Sequence, residues 1–391
     1  MKKFLRFVLV IALSTGALFA ARDIGEISVP YNNTMIKVRV TGNTAELDGL
    51  AKLAFSSHGR YFLADGGHAY DIRFSAMGAN QVRVDVAKGG QTVSSGVANG
   101  KTLRQALLRA ADMAVDKTNG QGLRGFFSAR LAFVGEATGK KEIYTADLFL
   151  GEAQRITNNR SLVLKPRWSP DGSRLVYTSF YKSGAPDIIQ YDFSSFQQNI
   201  LVEYKGTNMG PRYSPNGQQI AMVLTGEGAQ EIYVRPASGG KPVRRTHSEA
   251  VKSSPAWSPD GSQIVFEMQP GPQLYIMPAS GGAPRRLSSV FGYMSEPDWS
   301  PVSNQIACTI RVPGDRFQIA VCDVSGSAKQ VSKAAFDGIE PSWLADGRHL
   351  VYTARDRTRS ILCILDTETG KSTSLTPATF GPAMQASVWT P

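Results

Sequence analysis

The sequence Pro-Arg-Trp-Ser-Pro-Asp-Gly at residues 166–172 is the first copy of a motif that returns along the rest of the chain. Further copies begin at Pro211, Pro255, Pro297 and Pro341, and a partial copy lies at residues 387–391. The aromatic positions of the copies are 45, 44, 42, 44 and 46 residues apart: Trp168, Tyr213, Trp257, Trp299, Trp343 and Trp389. A regular period of this length indicates a repeat architecture rather than a series of unrelated domains.

Each repeat contains four short apolar segments separated by turns. In the second repeat, Tyr213 ends the first segment, and residues 220–222 and 232–234 form the next two. Asp-Gly and Gly-Gly pairs between the segments supply the positive φ angles that tight hairpin turns require. Four strands in about 40–45 residues are typical of a β-propeller blade.

Residues 129–391 have the length of six such repeats. Residues 130–133, 142–144 and 155–157 provide three strands of a blade without its first strand, and residues 387–389 provide that strand. Pairing of the two ends would leave no open sheet edge. We therefore predict a mainly β fold: a six-bladed propeller of four-stranded blades, closed by the C-terminal strand, with the motif aromatics packed structurally between blades.

Residues 21–128 differ in pattern and predict a small α/β domain. Apolar residues from Leu47 to Phe55 recur at helical spacing after Thr44, and Thr102 with Gln105 forms a capping box at the start of a second helix. Residues 35–40, 70–74, 81–86 and 92–94 alternate like strands.

Residues 1–20 have the features of a secretory signal peptide. Lys2, Lys3 and Arg6 precede an apolar stretch at residues 7–13, and small residues follow up to Ala20. Removal of this segment lowers the formal net charge from +11 to +8, and the remaining cations are scattered. We therefore predict an exported protein, peripheral to membranes, that does not bind nucleic acid.

The sequence contains few residues suited to chemistry. We predict no catalytic residue, metal or cofactor, because Gly-x-Ser-x-Gly and zinc-type histidine or cysteine spacings are absent. Cys308, Cys322 and Cys363 occupy apolar strand positions and are expected in the core, with a Cys308–Cys322 bridge as the alternative. Glu296 and Glu340 are expected to be polar lining, with acid–base chemistry or cation binding as the alternatives.

The residues just before each Pro-x-aromatic motif are the candidate binding site. They lead into the innermost strand of each blade, so they converge at one mouth of the central channel. Their mixture of polar, small and apolar side chains suits a protein or peptide ligand. The predicted partner-binding residues are Lys165, Met209, Gly210, Ser253, Ser254, Ser295, Glu296, Ile339 and Glu340.

The whole chain resembles the TolB family of the bacterial Tol–Pal envelope system. The resemblance lies in the order of signal segment, α/β domain and Pro-x-Trp-Ser-Pro-Asp-Gly blades, and in residues 57–62 and 122–133. The fourth motif departs from the pattern because it lacks Asp-Gly.

The resemblance implies a non-enzymatic periplasmic adaptor that supports outer-membrane integrity and envelope constriction during cell division. It also implies a Pal-like peptidoglycan-associated lipoprotein at the channel mouth, and a TolA-like inner-membrane protein on residues 22–30. The alternatives are a propeller lyase or hydrolase, or a module that binds peptidoglycan or another carbohydrate in the ring funnel.

Overall fold

The computed structural model describes residues 34–118, 125–182, 184–226, 228–287, 290–377 and 379–391. The predicted signal segment at residues 1–20 and the predicted contact segment at residues 22–30 lie outside these ranges. Within the described ranges, no helix combines the length and the apolar character needed to cross a bilayer.

The N-terminal region combines a five-stranded sheet with two helices, which confirms the predicted α/β fold but adds one strand to the four predicted. The helices are α1 (Ala45–Ser57) and α2 (Leu103–Thr118). The strands are β1 (Ile36–Gly42), β2 (Tyr61–Leu63), β3 (Tyr70–Gly78), β4 (Gln81–Lys88) and β5 (Gln91–Asn99), in the order β2-β1-β3-β4-β5. The three-residue strand β2 is not evident from the sequence. It pairs in parallel with β1, as β3 does on the other side.

Both helices begin where the sequence predicts, because a threonine hydroxyl satisfies an amide of the first turn. Thr44 Oγ1 accepts a hydrogen bond from the Leu47 amide at 3.3 Å. Thr102 Oγ1 accepts one from the Gln105 amide at 3.2 Å, while Gln105 Oε1 accepts from the Lys101 amide at 2.6 Å.

Six four-stranded sheets follow, and each is one blade of the propeller. Blade 1 consists of β6 (Arg130–Gly135), β7 (Glu142–Asp147), β8 (Gln154–Arg155) and the final strand β29 (Ala383–Trp389). Blade 2 consists of β9 (Val163–Trp168), β10 (Arg174–Ser179), β11 (Asp187–Asp192) and β12 (Gln197–Val202). Blade 3 consists of β13 (Asn208–Tyr213), β14 (Gln219–Leu224), β15 (Glu231–Pro236) and β16 (Val243–Arg244).

Blades 4 to 6 repeat this arrangement. Blade 4 consists of β17 (Lys252–Trp257), β18 (Gln263–Met268), β19 (Gln273–Pro278) and β20 (Arg285–Arg286). Blade 5 consists of β21 (Met294–Trp299), β22 (Gln305–Val312), β23 (Arg316–Asp323) and β24 (Ala328–Gln330). Blade 6 consists of β25 (Asp337–Trp343), β26 (His349–Arg355), β27 (Ser360–Asp366) and β28 (Ser372–Ser374).

The ring is closed as the sequence predicts. Strand β29 pairs antiparallel with β6, with Val388 opposite Leu131, and takes the innermost position of blade 1. The innermost strands of neighbouring blades contact one another in an unbroken cycle of β29, β9, β13, β17, β21 and β25. This cycle confirms the six-bladed propeller.

The motif aromatics fill the spaces between blades. Trp257, for example, packs on Ala221 and Val223 of blade 3 as well as on Ile264 of its own blade, and its Nε1 donates to the Arg212 carbonyl at 3.0 Å. Five of the six positions are buried between their own blade and the preceding one: Trp168, Tyr213, Trp257, Trp299 and Trp343. Trp389 is half-buried and packs on Trp168 of blade 2, with ring centroids 5.8 Å apart.

The turn after each aromatic explains the rest of the motif. Ser169 Oγ accepts a hydrogen bond from the Arg174 amide at 2.9 Å and donates to the Asp171 carboxylate, while Gly172 adopts a φ of 68°. The fourth copy lacks Asp-Gly but still closes its hairpin, because the Ser300 amide donates to the Gln305 carbonyl at 2.8 Å.

All three cysteines are buried and unbridged. Cys308 lies opposite Ala320 and Cys322 lies opposite Ile306, so the two thiols are not direct cross-strand partners. They occupy core positions, as the apolar pattern around them predicts.

The α/β region and the propeller share one hydrophobic cluster, which joins Phe55 and Phe127 to Leu344 and Val351 of blade 6. The chain passes close to blade 6 at Gly59, whose φ is 76° and where a Cβ would lie 2.2 Å from Asp366 Oδ2. We propose a boundary between the two regions near residue 128.

A buried histidine pair lies at this junction. His58 packs between Tyr61, Phe126 and Phe127, and its ring centroid lies 4.7 Å from that of His349. Within the described residues neither ring nitrogen of His58 has a hydrogen-bond partner, whereas its backbone carbonyl accepts from His349 Nε2 at 2.7 Å. Burial, with a further contribution from His349, lowers the pKa of His58 well below its usual 6.5.

We expect His58→Phe to raise the free energy of unfolding by about 1 kcal/mol at neutral pH, because the variant no longer buries two unpaired nitrogens. The difference should grow as the pH falls below 6.5, since the unfolded wild-type chain then takes up a proton that the folded chain excludes. Urea unfolding of both proteins between pH 5 and 8 measures it.

The matched variant His349→Phe should lower the free energy of unfolding by about 2–3 kcal/mol. It leaves the buried Asp346 carboxylate and the His58 carbonyl without their histidine partner. Equal effects of the two substitutions would contradict the different roles assigned to the two rings.

Candidate functional site at the channel mouth

The six innermost strands surround a narrow channel. Near its mouth they enclose a cavity of about 30 Å³, which is room for one or two water molecules. Besides four motif prolines, the residues that line it are Lys165, Arg167, Gly210, Arg212, Ser254, Glu296, Glu340 and Gln385. This volume is far below the roughly 300–1,000 Å³ of a small-molecule pocket.

Every innermost strand carries a β-bulge at the same place. In each of these strands, the motif proline and the residue before it both lie opposite a single residue of the next strand. In the partial copy, Ala386 takes the place of the proline. The first bulge residue has a φ between 50° and 59° in all six blades: Lys165, Gly210, Ser254, Glu296, Glu340 and Gln385. A bulge re-aims a side chain and bends its strand, so these six residues line the channel.

Side chains of the preceding blade hold the strained backbone of most of these bulges. Thr178 Oγ1 accepts from the Gly210 amide at 3.2 Å, and Thr309 Oγ1 accepts from the Glu340 amide at 3.1 Å. Thr353 Oγ1 accepts from the Gln385 amide at 3.0 Å in the same way. A non-glycine residue in this conformation costs about 1–3 kcal/mol, which such neighbours must offset.

The mouth side chains form a belt of hydrogen bonds from blade 5 to blade 2. Glu296 Oε2 accepts from the Glu340 amide at 3.1 Å, and Glu340 Oε1 accepts from Gln385 Nε2 at 2.8 Å. Gln385 Oε1 accepts from the Lys165 amide at 2.9 Å. Lys165 Nζ then donates to Ser254 Oγ at 2.9 Å.

The carboxylates of Glu296 and Glu340 therefore link neighbouring blades. Each carboxylate also accepts a threonine hydroxyl of its own blade, from Thr309 at 2.9 Å and from Thr353 at 3.1 Å. In the described part of the chain, no group of three or more metal-ligating side chains is found. Burial, with the neighbouring Glu296, raises the pKa of Glu340 above its usual 4.5.

The predicted site residues divide into two sets. Lys165, Gly210, Ser254, Glu296 and Glu340 line the channel. The residues one step earlier do not line this cavity: Ser295 and Ile339 are buried, and Met209 and Ser253 are half-buried. Sequence reasoning missed Gln385, which the partial sixth copy would have located two residues before Ser387.

The loops around the mouth expose apolar side chains. Tyr181, in the loop between β10 and β11, is 63% exposed, and Tyr204, just before β13, is 49% exposed. Leu162, Val251 and Val290 are also exposed, each shortly before the innermost strand of blade 2, 4 or 5. Exposed apolar side chains grouped on one face are typical of protein-binding surfaces.

We expect Glu340→Gln to reduce the pH dependence of stability. Because the folded-state pKa of Glu340 is raised, its contribution to stability is full below pH 4.5 and is lost as the pH rises through the folded-state value. The wild-type free energy of unfolding should therefore fall more steeply above pH 4.5 than that of the variant. Urea unfolding at several pH values measures this, with the exposed Glu249→Gln as the control expected to follow the wild type.

A comparison with family models matches residues 119–391 to the TolB beta propeller domain. The Tol-Pal system protein TolB of Bordetella pertussis is 33% identical over 210 residues, covering 52% of this chain and 45% of that protein. The Bordetella parapertussis protein of the same name is 31% identical over the same length. The matched region thus spans about half the length of these curated relatives.

A comparison with solved structures agrees on the fold. The crystal structure of TolB from Acinetobacter baumannii covers 93% of this chain and 98% of its own, with a TM-score of 0.79 at 21% identity. A putative TolB from Agrobacterium tumefaciens covers 67% of this chain and 98% of its own, with a TM-score of 0.52 at 20% identity. With its repeats, closed ring and matched family model, the chain belongs to the TolB beta propeller family.

Proposed function

We propose that this chain is a non-enzymatic, periplasmic protein-binding adaptor of the Tol–Pal system. The observation that carries the proposal is the apolar rim of the mouth in a chain of this family. The apolar rim is the set of exposed apolar side chains around the mouth: Leu162, Tyr181, Tyr204, Val251 and Val290. The secretory features of residues 1–20 support a periplasmic location.

The proposed ligand at the mouth is a Pal-like peptidoglycan-associated lipoprotein. The apolar rim supplies contact area, and the belt of Glu296, Glu340, Gln385 and Lys165 supplies fixed polar groups at its centre. An apolar surface around a few polar groups fits a folded protein better than a small metabolite. The narrow cavity below admits at most the tip of one side chain.

The proposed second partner is a TolA-like inner-membrane protein that contacts residues 22–30. Binding at both ends would link the inner membrane to the outer membrane, and so maintain outer-membrane integrity and support envelope constriction during cell division. This part of the proposal rests on the family alone.

The alternatives of a propeller enzyme and a carbohydrate-binding module have less support. A sugar ring needs more room than the cavity of about 30 Å³ at the mouth provides, whereas the cavity of about 300 Å³ at the opposite end of the channel is large enough for one. The side chains of Glu296 and Glu340 are also engaged in hydrogen bonds between blades. Sedimentation of the protein with purified sacculi, in the absence of any lipoprotein, would favour the carbohydrate-binding module instead.

We expect the mature protein to bind the soluble domain of the peptidoglycan-associated lipoprotein from its own organism in isothermal titration calorimetry. Tyr181→Ala and Tyr204→Ala should each weaken this binding about tenfold or more, because large aromatic side chains dominate interface energies. Envelope extracts from which the protein captures no such lipoprotein would overturn the proposal.

Phe196→Ala is the matched control. Phe196 is 72% exposed, but its turn between β11 and β12 lies at the end of blade 2 opposite the mouth. The variant should bind within about twofold of the wild type, since residues outside an interface carry little of the binding energy. Equal losses in the mouth variants and the control would place the contact elsewhere.

A further inference from the structure

The channel has a second cavity at the end opposite the mouth. This cup has a volume of about 300 Å³ and is lined by the motif aromatics and by the Ser-Pro turns that follow them. Arg167 and Arg212 line both the mouth cavity and the cup, so they form the waist between the two. They occupy equivalent positions, directly after the motif proline of blades 2 and 3.

The two arginines differ in their partners. Arg212 forms an ion pair with Asp298, which also accepts a hydrogen bond from the Trp343 amide at 2.6 Å. Arg167 donates to the carbonyl oxygens of Pro166 at 3.1 Å and Ala386 at 3.5 Å. Among the described residues, no carboxylate lies within ion-pair distance of its guanidinium.

The charged groups that face Arg167 leave this cation incompletely balanced. Asp298, Glu340 and Glu296 act on it only at longer range, and Arg212 repels it. Burial and this repulsion lower the pKa of Arg167 to about 10, so the guanidinium is still charged at neutral pH. A half-buried charge without a direct partner is only partly compensated, and an anion in contact with it would be favoured.

Two hydroxyl groups, on the two blades that precede Arg167 in the ring, line the same cup. Ser387 of blade 1 lines the cup, and its Oγ accepts from the Trp168 amide at 3.4 Å, which leaves its hydrogen available to donate. Ser342 of blade 6 occupies the next equivalent position and also lines the cup. Ser342, Ser387 and Arg167 therefore form an arc of hydrogen-bond donors on three successive blades.

We propose that this arc binds one carboxylate, entering from the cup. Arg167 supplies charge-assisted hydrogen bonds, and the two hydroxyls supply the remaining donors. The carboxylate has two possible sources, a free small anion or the C terminus of a peptide, and the volume of the cup admits either. The site lies at the opposite end of the channel from the proposed lipoprotein surface and does not depend on it.

The experiment is a calorimetric titration of the full protein at pH 7.5 and constant ionic strength with three probes: acetate, triglycine and triglycine amide. We expect triglycine to bind and its amide to bind about tenfold more weakly or not at all, since a charge-assisted hydrogen bond is lost. Acetate that competes fully with triglycine identifies a site for small anions. Acetate that competes poorly identifies a site for a peptide C terminus.

Arg167→Gln should weaken triglycine binding at least about tenfold, and Ser387→Ala should weaken it several-fold without removing a charge. The control Arg286→Gln changes an exposed arginine on the outermost strand of blade 4 and should bind as the wild type does. Should Arg167→Gln fail to fold, Ser387→Ala decides alone. Equal binding of the acid and the amide, no binding of either, or unchanged binding by both Arg167→Gln and Ser387→Ala would overturn the proposal.

Discussion

The antiparallel pairing of β29 with β6 is the interaction on which the rest of the propeller depends. Without it, blade 1 would present β6 as an unpaired edge beside the channel, and blade 6 would have no neighbour on one side. The pairing also brings Gln385 between Glu340 and Lys165, and so completes the hydrogen-bonded belt of the mouth. One strand thus satisfies a sheet edge, closes a ring and joins the two ends of a polar network.

Much of this architecture follows from the sequence, because the repeat encodes local structure. The spacing of the six aromatics fixes the number of blades, and Ser-Pro-Asp-Gly encodes the turn through the hydroxyl of Ser169 and the positive φ of Gly172. The bulges do not follow in the same way. The left-handed backbone of Lys165 and Glu340 is held by side chains of the preceding blade, and no short segment of sequence contains those contacts. Gly210 was a local signal, since glycine inside a strand often marks a bulge.

The candidate site could be predicted in position but not in detail. Repeat logic brings residues before each proline to one mouth, yet it does not tell which residue of each pair faces the channel. The bulge decides this, and it selects Ser254 over Ser253 and Glu296 over Ser295. The contact of His58 with His349 could not be predicted from the sequence either, because it joins elements far apart in sequence through tertiary packing. The polar side chains of the mouth thus hold neighbouring blades together, while the apolar side chains around them stay exposed to solvent.

The split composition of blade 1 also affects how the molecule folds. Blades 2 to 6 each consist of consecutive strands, so their hairpins form from contacts close in sequence, which are fast. In blade 1, Leu131 must contact Val388, which closes a very long loop. The entropic cost of this contact is low only after the chain between the two residues has been ordered. The hairpins of blades 2 to 6 can therefore form locally, whereas blade 1 is completed only after the chain between its two parts has been ordered.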